Sequence, residues 1–372
     1  MARKQKYIYD RADWPDLLDL QWNGEALGRA LADMYQAHGK LFGKLELLGF
    51  SVQKNLSLES VSSGIIGSFG IEGEKLDMDG VRSSVAHRLG MESSDAAGAF
   101  PDRYTEGVVD MALDAIQNYD EPMTQERLFG WHAALFPTGH SGFRKISVAA
   151  YRTGGMEVVS EPLGSEKVHY AAPPPAKVPA EMDSFLAWTE SPERGTDPFV
   201  RAGLAHLRFV SIHPFDDGNG RIGRAIADMM LARAEGSTDR YYSLSNQMLA
   251  ERREYYRALE NAQRETGDIA GWLIWFLGCL ARAMRASESQ LELAVEKARL
   301  FEKWRGIPMN ERQVSMLNLL LDGFEGKMRS SIWAKLTKCS HDTALRDIEG
   351  LVSRGVLAKE GGGRSTSYAL VR

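Results

Sequence analysis

Cysteine is nearly absent: Cys279 and Cys339 are the only two in 372 residues. That excludes a disulfide framework and a cysteine-rich metal site, and it fits a reducing compartment. Long hydrophobic runs are also missing. The longest, GWLIWFLGCLARAM at 271–284, reads as too short for a membrane span and as a buried helix. The opening MARKQKYIYDRADWPDLL is basic but has no apolar core of the signal-peptide kind. No internal repeat, low-complexity tract or Walker A loop occurs. These absences predict a cytoplasmic protein without membrane contact. A chain of this length buries a real core and suggests two or three domains at roughly 150 residues each.

Charge is unevenly spread. The net charge is −5, yet residues 301–372 hold 12 Lys/Arg against 8 Asp/Glu. A mildly basic C-terminal module on an acidic body hints at a nucleic-acid or acidic partner there. Helical periodicity dominates the rest. GEALGRALADMYQAHGKLFGKLELLG reads as a helix, and the aromatics Tyr7, Tyr9, Trp14 and Trp22 before it read as packing. Gly64, Gly67 and Gly70 recur every third residue, which predicts close approach to another backbone. Two β-rich runs flanking TGG at 153–155 read as a hairpin. From residue 300, three helices are predicted, with Asn310 and Ser340 as N-caps and Gly355 as a stop, followed by two strands. That order is a winged helix, a DNA-binding geometry; Arg346, Arg354 and Arg364 fall near its third helix and wing.

The densest polar stretch is IHPFDDGNGRIGRA, 212–225. Gly218, Asn219 and Gly220 make a tight turn directly before a predicted helix, so free N–H groups and a positive dipole end point at whatever lies there. Arg221 and Arg224, at i and i+3, share a helix face, and two guanidinium forks suit a di- or triphosphate. Asp217 is a lone carboxylate beside the phosphates, a usual way to hold Mg²⁺. His213 is placed to take a proton from a hydroxyl at neutral pH. Phe215 reads as an inward anchor. For any one of these residues a helix-capping loop with a satisfied histidine competes; for the set it does not.

HPFDDGNGRIGR matches the Fic-domain signature H-P-F-x-D/E-G-N-G-R-x-x-R at every fixed position. The resemblance covers roughly residues 55–290, and YIYDRADWPDLL resembles the small N-terminal domain of a subset of Fic proteins. It implies a mainly α protein: a Fic helical core at 100–290 with a β-hairpin flap, a small N-terminal helical domain at 1–80, and a winged helix-turn-helix at 300–372. It implies transfer of AMP from ATP to a protein Tyr, Thr or Ser hydroxyl. His213 would be the base, and Asp217 would hold Mg²⁺. Gly218, Asn219 and Gly220 would form the anion hole, Arg221 would bind the β-phosphate and Arg224 the γ-phosphate. Tyr255 and Tyr256 resemble the family's tyrosine pair behind the nucleotide.

SFGIEG, at 68–73, fits the family's inhibitory pattern S/T-x-x-x-E-G/N as Ser68, Glu72 and Gly73. Glu72 in a bidentate pair with Arg224 would deny it to the γ-phosphate, and the glycines would let this helix sit close to the active-site helix. The same Glu72 in a reverse reaction would orient water for AMP removal. Residues 146–170 would form the flap, with Val158 and Val159 clamping a target strand. His132, His140, His169, His206 and His341 lack acidic or histidine partners at metal spacing and read as structural or surface residues. The expected partners are ATP, a protein hydroxyl (the chain's own included), DNA or protein at the winged helix, and a second copy of the chain. The competing reading is a nucleotide-sensing transcriptional regulator.

Overall fold

In the computed structural model one helix, Pro198–Ile212, is buried on every side from Phe199 to Ile212. Such a helix is a core element rather than an amphipathic surface one. The structure describes residues 6–12, 14, 24–91, 102–160, 167–191, 195–321, 324, 326–362 and 366–371. In chain order the elements are α1 (Gly24–Leu45), α2 (Phe50–Ile71), α3 (Met78–Arg88), α4 (Arg103–Gln117), α5 (Gln125–Leu135), β1 (His140–Ser141) and β2 (Arg144–Lys145). They continue as β3 (Glu157–Ser160), β4 (Lys167–Ala171), α6 (Val178–Thr189), α7 (Pro198–Ile212), α8 (Asn219–Glu235), α9 (Leu244–Ala250), α10 (Arg252–Ala262) and α11 (Ile269–Lys303). The last are α12 (Glu311–Leu321), α13 (Ser330–Leu336), α14 (His341–Ser353), β5 (Leu357–Glu360) and β6 (Ser367–Leu370). The fold is mainly helical.

The chain divides into two units, Met1–Ser287 and Glu288–Arg372. The first takes in both the expected N-terminal domain and the expected central domain. Its starts are set locally: Asp197 accepts the N–H groups of Phe199 and Val200, with Pro198 at the first helical position. Asp102 and Thr124 cap α4 and α5 in the same way. The glycine stripe of α2 does mark a close approach. A Cβ on Gly67 would stand 2.8 Å from the backbone of Asn246, and one on Gly64 or Gly70 would crowd Ser243 or Leu249. The partner is therefore α9 and the turn before it, not the active-site helix α8 as the sequence suggested.

Two further expectations are corrected. No pairing crosses TGG: the short strands before it, β1 and β2, pair with each other, and the hairpin pairs β3 with β4, Glu157 opposite Ala171, its turn lying in 161–166, outside the described residues. The β-branched signal before TGG yields because Arg152 there is buried against backbone carbonyls. The apolar run at 271–284 belongs to a 35-residue helix, α11, which is long and apolar enough to cross a membrane by length and composition. Its residues Trp272, Leu273, Phe276, Leu277, Leu280 and Met284 are buried inside the protein. Among the aromatics near the start, Tyr7 and Tyr9 pack on Tyr170, and Trp14 donates to Glu181; Trp22 lies outside the described residues.

In the second unit, α12 to α14 pack around Met316, Leu317, Trp333, Ile348 and Leu351, and β5 pairs antiparallel with β6. Asn310 accepts the Gln313 N–H and Ser340 the Thr343 N–H, while Gly355 turns left-handed at φ 72°. Arg346 and Arg354 lie in and just after α14; Arg364 is outside the described residues.

Candidate active site

The loop between α7 and α8 is closed by its own side chains. Asn219 accepts the Phe215 N–H and donates to the Phe215 carbonyl, both at 2.9 Å. Its side chain thus serves the loop and is not aimed at a ligand. Phe215 is fully buried and stacks on His132 at 4.2 Å, as the anchor reading requires. Gly218 adopts φ 81° and opens α8. His213 ends α7 in the left-handed region, φ 52°, a conformation that costs a non-glycine residue about 1–2 kcal/mol.

The imidazole of His213 is half-buried, with Nδ1 3.1 Å from the Val210 carbonyl. A carbonyl only accepts, so Nδ1 carries the proton and the Nε2 lone pair is left for chemistry. Burial, aided by the charge of Arg152, pushes the His213 pKa below its ordinary value against that hydrogen bond. The ring is therefore a neutral base at pH 7.

Both arginines of the motif are held by acids from one short segment. Arg224, 2% exposed, donates from Nη2 to Glu72 Oε1 at 2.8 Å. Its Nε donates to Ser68 Oγ and its Nη2 to the Ser68 carbonyl, each at 2.8 Å. The fork is thus shared between Ser68 and Glu72 rather than bidentate on Glu72. Burial works against the Arg224 charge, but Glu72, with Tyr255 and Tyr256, raises the pKa on balance. Gly73, at φ 82°, ends α2 and turns the chain so that the next acid also faces α8. That acid is Glu74, which accepts Arg221 Nη1 at 2.8 Å and the Tyr104 hydroxyl at 2.7 Å. Arg221 also meets Asp217 at 3.2 Å and lies between the rings of Phe69 and Phe136. A Cβ on Gly220 would run into the Glu72 carboxylate, so Glu72 sits directly over the start of α8.

Asp217 accepts from the Ser141 hydroxyl and from the Gly218 N–H. Burial tends to raise its pKa, but Ser141, Arg221 and Gly218 together hold it below the usual range, so it is ionised. A single, partly exposed, ionised carboxylate beside the Arg221 guanidinium fits Mg²⁺ shared with phosphate oxygens. Among the described residues, no group of three His, Cys, Asp or Glu forms a protein-only metal cage.

Several contributors were not read from the sequence. His132, expected to be merely structural, bridges the site: its Nε2 is 3.3 Å from the Asp217 carbonyl, and Ala149 N–H donates to Nδ1 at 3.1 Å. Ile71, the last residue of α2, has its carbonyl held by Arg252 and Tyr256, so α10 grips the end of the Glu72 helix. Tyr255 is buried beside Arg224, its hydroxyl 2.9 Å from His206 Nε2. His169 does have an acidic partner, Glu260 at 2.9 Å, linking β4 to α10. Val158 is half-buried on β3; the side chain of Val159 lies outside the described residues.

Residues 122–231 match the Fic/DOC family, and residues 7–91 match a domain of unknown function, DUF4172. A uridine 5'-monophosphate transferase of Xanthomonas campestris pv. campestris (strain 8004) is 32% identical over 120 residues, 30% of this chain and 21% of that protein. A protein adenylyltransferase Fic of Nematostella vectensis is 30% identical over 119 residues, 32% of this chain and 26% of that one. The chain thus spans about a fifth to a quarter of the length of these relatives. A Fic family protein from Desulfovibrio desulfuricans G20 has the same fold, with a TM-score of 0.54 at 20% identity over 93% of this chain and 96% of that one. Fic-1 from C. elegans gives 0.51 at 18% identity over 73% and 74%. The loop, α7, the start of α8 and the signature all fall within residues 122–231, the part of the chain that matches the Fic/DOC family.

Proposed function

We propose that this chain transfers AMP from ATP to a Tyr, Thr or Ser hydroxyl of a protein, and that Glu72 keeps it at rest. The observation that carries this reading is His213 at the end of α7, its Nδ1 on the Val210 carbonyl and its Nε2 unpledged, just ahead of Arg221 and Arg224 on the first two turns of α8. His213 Nε2 takes the proton of the target hydroxyl. The oxygen then bonds to the α-phosphorus, the bond to the β-phosphate oxygen breaks, and pyrophosphate leaves. Arg221 and Arg224 bind the departing phosphates, and the N–H groups of Asn219 and Gly220 at the positive end of α8 face the charge that builds up. Mg²⁺ held by Asp217 would neutralise phosphate charge. Val158 and Val159 on the hairpin would seat the target chain.

The resting state follows from shared ligands. While Arg224 serves Ser68 and Glu72 it is not free for a γ-phosphate, and the Glu72 carboxylate repels one. The test is transfer of label from α-labelled ATP with Mg²⁺, to the chain itself and to proteins of a cell lysate. Glu72→Gly is expected to raise labelling tenfold or more, roughly the worth of a charge-assisted bond. Adding His213→Ala is expected to remove it by about 10³-fold. Labelling that survives without His213 would refute the assigned base; labelling unchanged by Glu72→Gly would refute the inhibitory role.

A second reading has its own support in the similarity to a uridine 5'-monophosphate transferase. There the same residues move UMP from a donor bearing uridine. Labelled UTP run beside ATP separates the two by which nucleotide is retained on protein.

A further inference from the structure

Arg152 takes no part in the signature, yet it makes the densest set of contacts to the catalytic loop. It is 2% exposed. Nε donates to the His213 carbonyl at 2.7 Å, and Nη2 to the Ile212 carbonyl at 3.4 Å and the Pro173 carbonyl at 2.6 Å. Nη1 donates to the Gly154 carbonyl at 2.9 Å, and the Arg152 backbone N–H to the Pro214 carbonyl at 2.8 Å. Among the described residues no carboxylate pairs with it. A buried guanidinium that spends its fork on backbone carbonyls fixes backbone geometry, because five donors in a rigid plane dictate where the acceptors lie.

The acceptors come from two places. Ile212, His213 and Pro214 are the catalytic turn, where His213 is held in an unfavourable left-handed conformation. Pro173 lies two residues beyond β4, at the base of the hairpin. We propose that Arg152 is a positioning residue for the transfer proposed above: it holds the His213 peptide in the turn that aims Nε2, and it ties the hairpin base to that turn. This rests on His213 being the base. Three charged groups act on that imidazole: Arg152, Glu72 from the end of α2, and Asp217 from its own loop. Arg152 is the cation among them, and its field favours the neutral ring.

Two variants of the full chain, Arg152→Lys and Arg152→Met, separate positioning from mere stability. In the Glu72→Gly background both are expected to lower the transfer rate constant about 100-fold, the scale of a small misplacement of a reacting group. Nucleotide affinity by calorimetry stays within about threefold, because Arg152 donates to no part of the phosphate cradle. Titration of the His213 imidazole by NMR, assigned with His213→Ala, gives a readout independent of activity. Arg152→Met raises its midpoint, while Arg152→Lys, which keeps the charge, leaves it in place. An unchanged transfer rate in Arg152→Lys overturns the proposal, and so does loss of rate and affinity together with an unmoved His213 midpoint. If Arg152→Met does not fold, Arg152→Lys decides by its rate alone. If the Glu72→Gly parent transfers no nucleotide, the functional reading fails, and the His213 titration still tests the link to Arg152.

Discussion

Among the described residues of the first unit, His38, His132, His169, His206 and His213 are buried or half-buried, and three of them lie around the loop between α7 and α8 or behind α8. His132 uses both nitrogens, on Asp217 and Ala149, and His206 uses both, on Gly223 and Tyr255. His213 Nε2 has no partner among the described residues. Burial pushes the pKa of His132 and His206 down to about 4. Unfolded histidines bind a proton near 6.5, so this contribution is complete above pH 6.5 and is lost as pH falls towards 4. Each histidine accounts for on the order of 3 kcal/mol over that window. Thermal melts between pH 7 and pH 5 should therefore show falling stability, with a shallower slope in His206→Gln. Glu74 gives a second residue-scale expectation. Glu74→Gln removes the negative charge paired with Arg221 and should tighten nucleotide binding about threefold to tenfold by calorimetry, the worth of one ion pair with a buried partner. Unchanged affinity would make Glu74 a bystander.

Helix α2 shows how much was legible and why the rest was not. Its glycines announced a close backbone contact because their spacing is local and periodic. Which helix they meet is set by tertiary packing, and that is α9. Gly67→Ala places a Cβ against the Asn246 backbone, which cannot move aside cheaply. The expected result is an α2 lifted from its seat, with more transfer from the Glu72-containing chain and a Tm lowered by several degrees. A drop in Tm without a gain in transfer would separate α2 seating from control. The caps Asn310 and Ser340 were legible because side-chain capping is a matter of three residues. The pairing of Glu72 with Arg224 was reached through the family signature. The pairing of Glu74 with Arg221 had no such guide, since nothing in local pattern joins residues 147 apart. The hairpin was misplaced because β-propensity around 146–152 carries no word of the carbonyl cage that Arg152 builds.

At the scale of the molecule, every residue assigned to the site lies in Met1–Ser287. A fragment ending at Ser287 is expected to keep the transfer rate of the Glu72→Gly chain within about threefold, as a unit with its own core should. A fragment that folds by circular dichroism but transfers nothing would place an essential contribution in the last 85 residues. The resting site has a consequence of another kind. Arg221 and Arg224 are matched by Glu74 and Glu72, with Asp217 as a third carboxylate. Seen from solution the phosphate cradle is electrically shut: it casts no positive field to draw in a polyanion. Nucleotide capture by the resting chain should be slow and nearly indifferent to salt. With both glutamates removed it becomes fast and salt-sensitive, so the two carboxylates govern how ATP finds the site as well as how it is held.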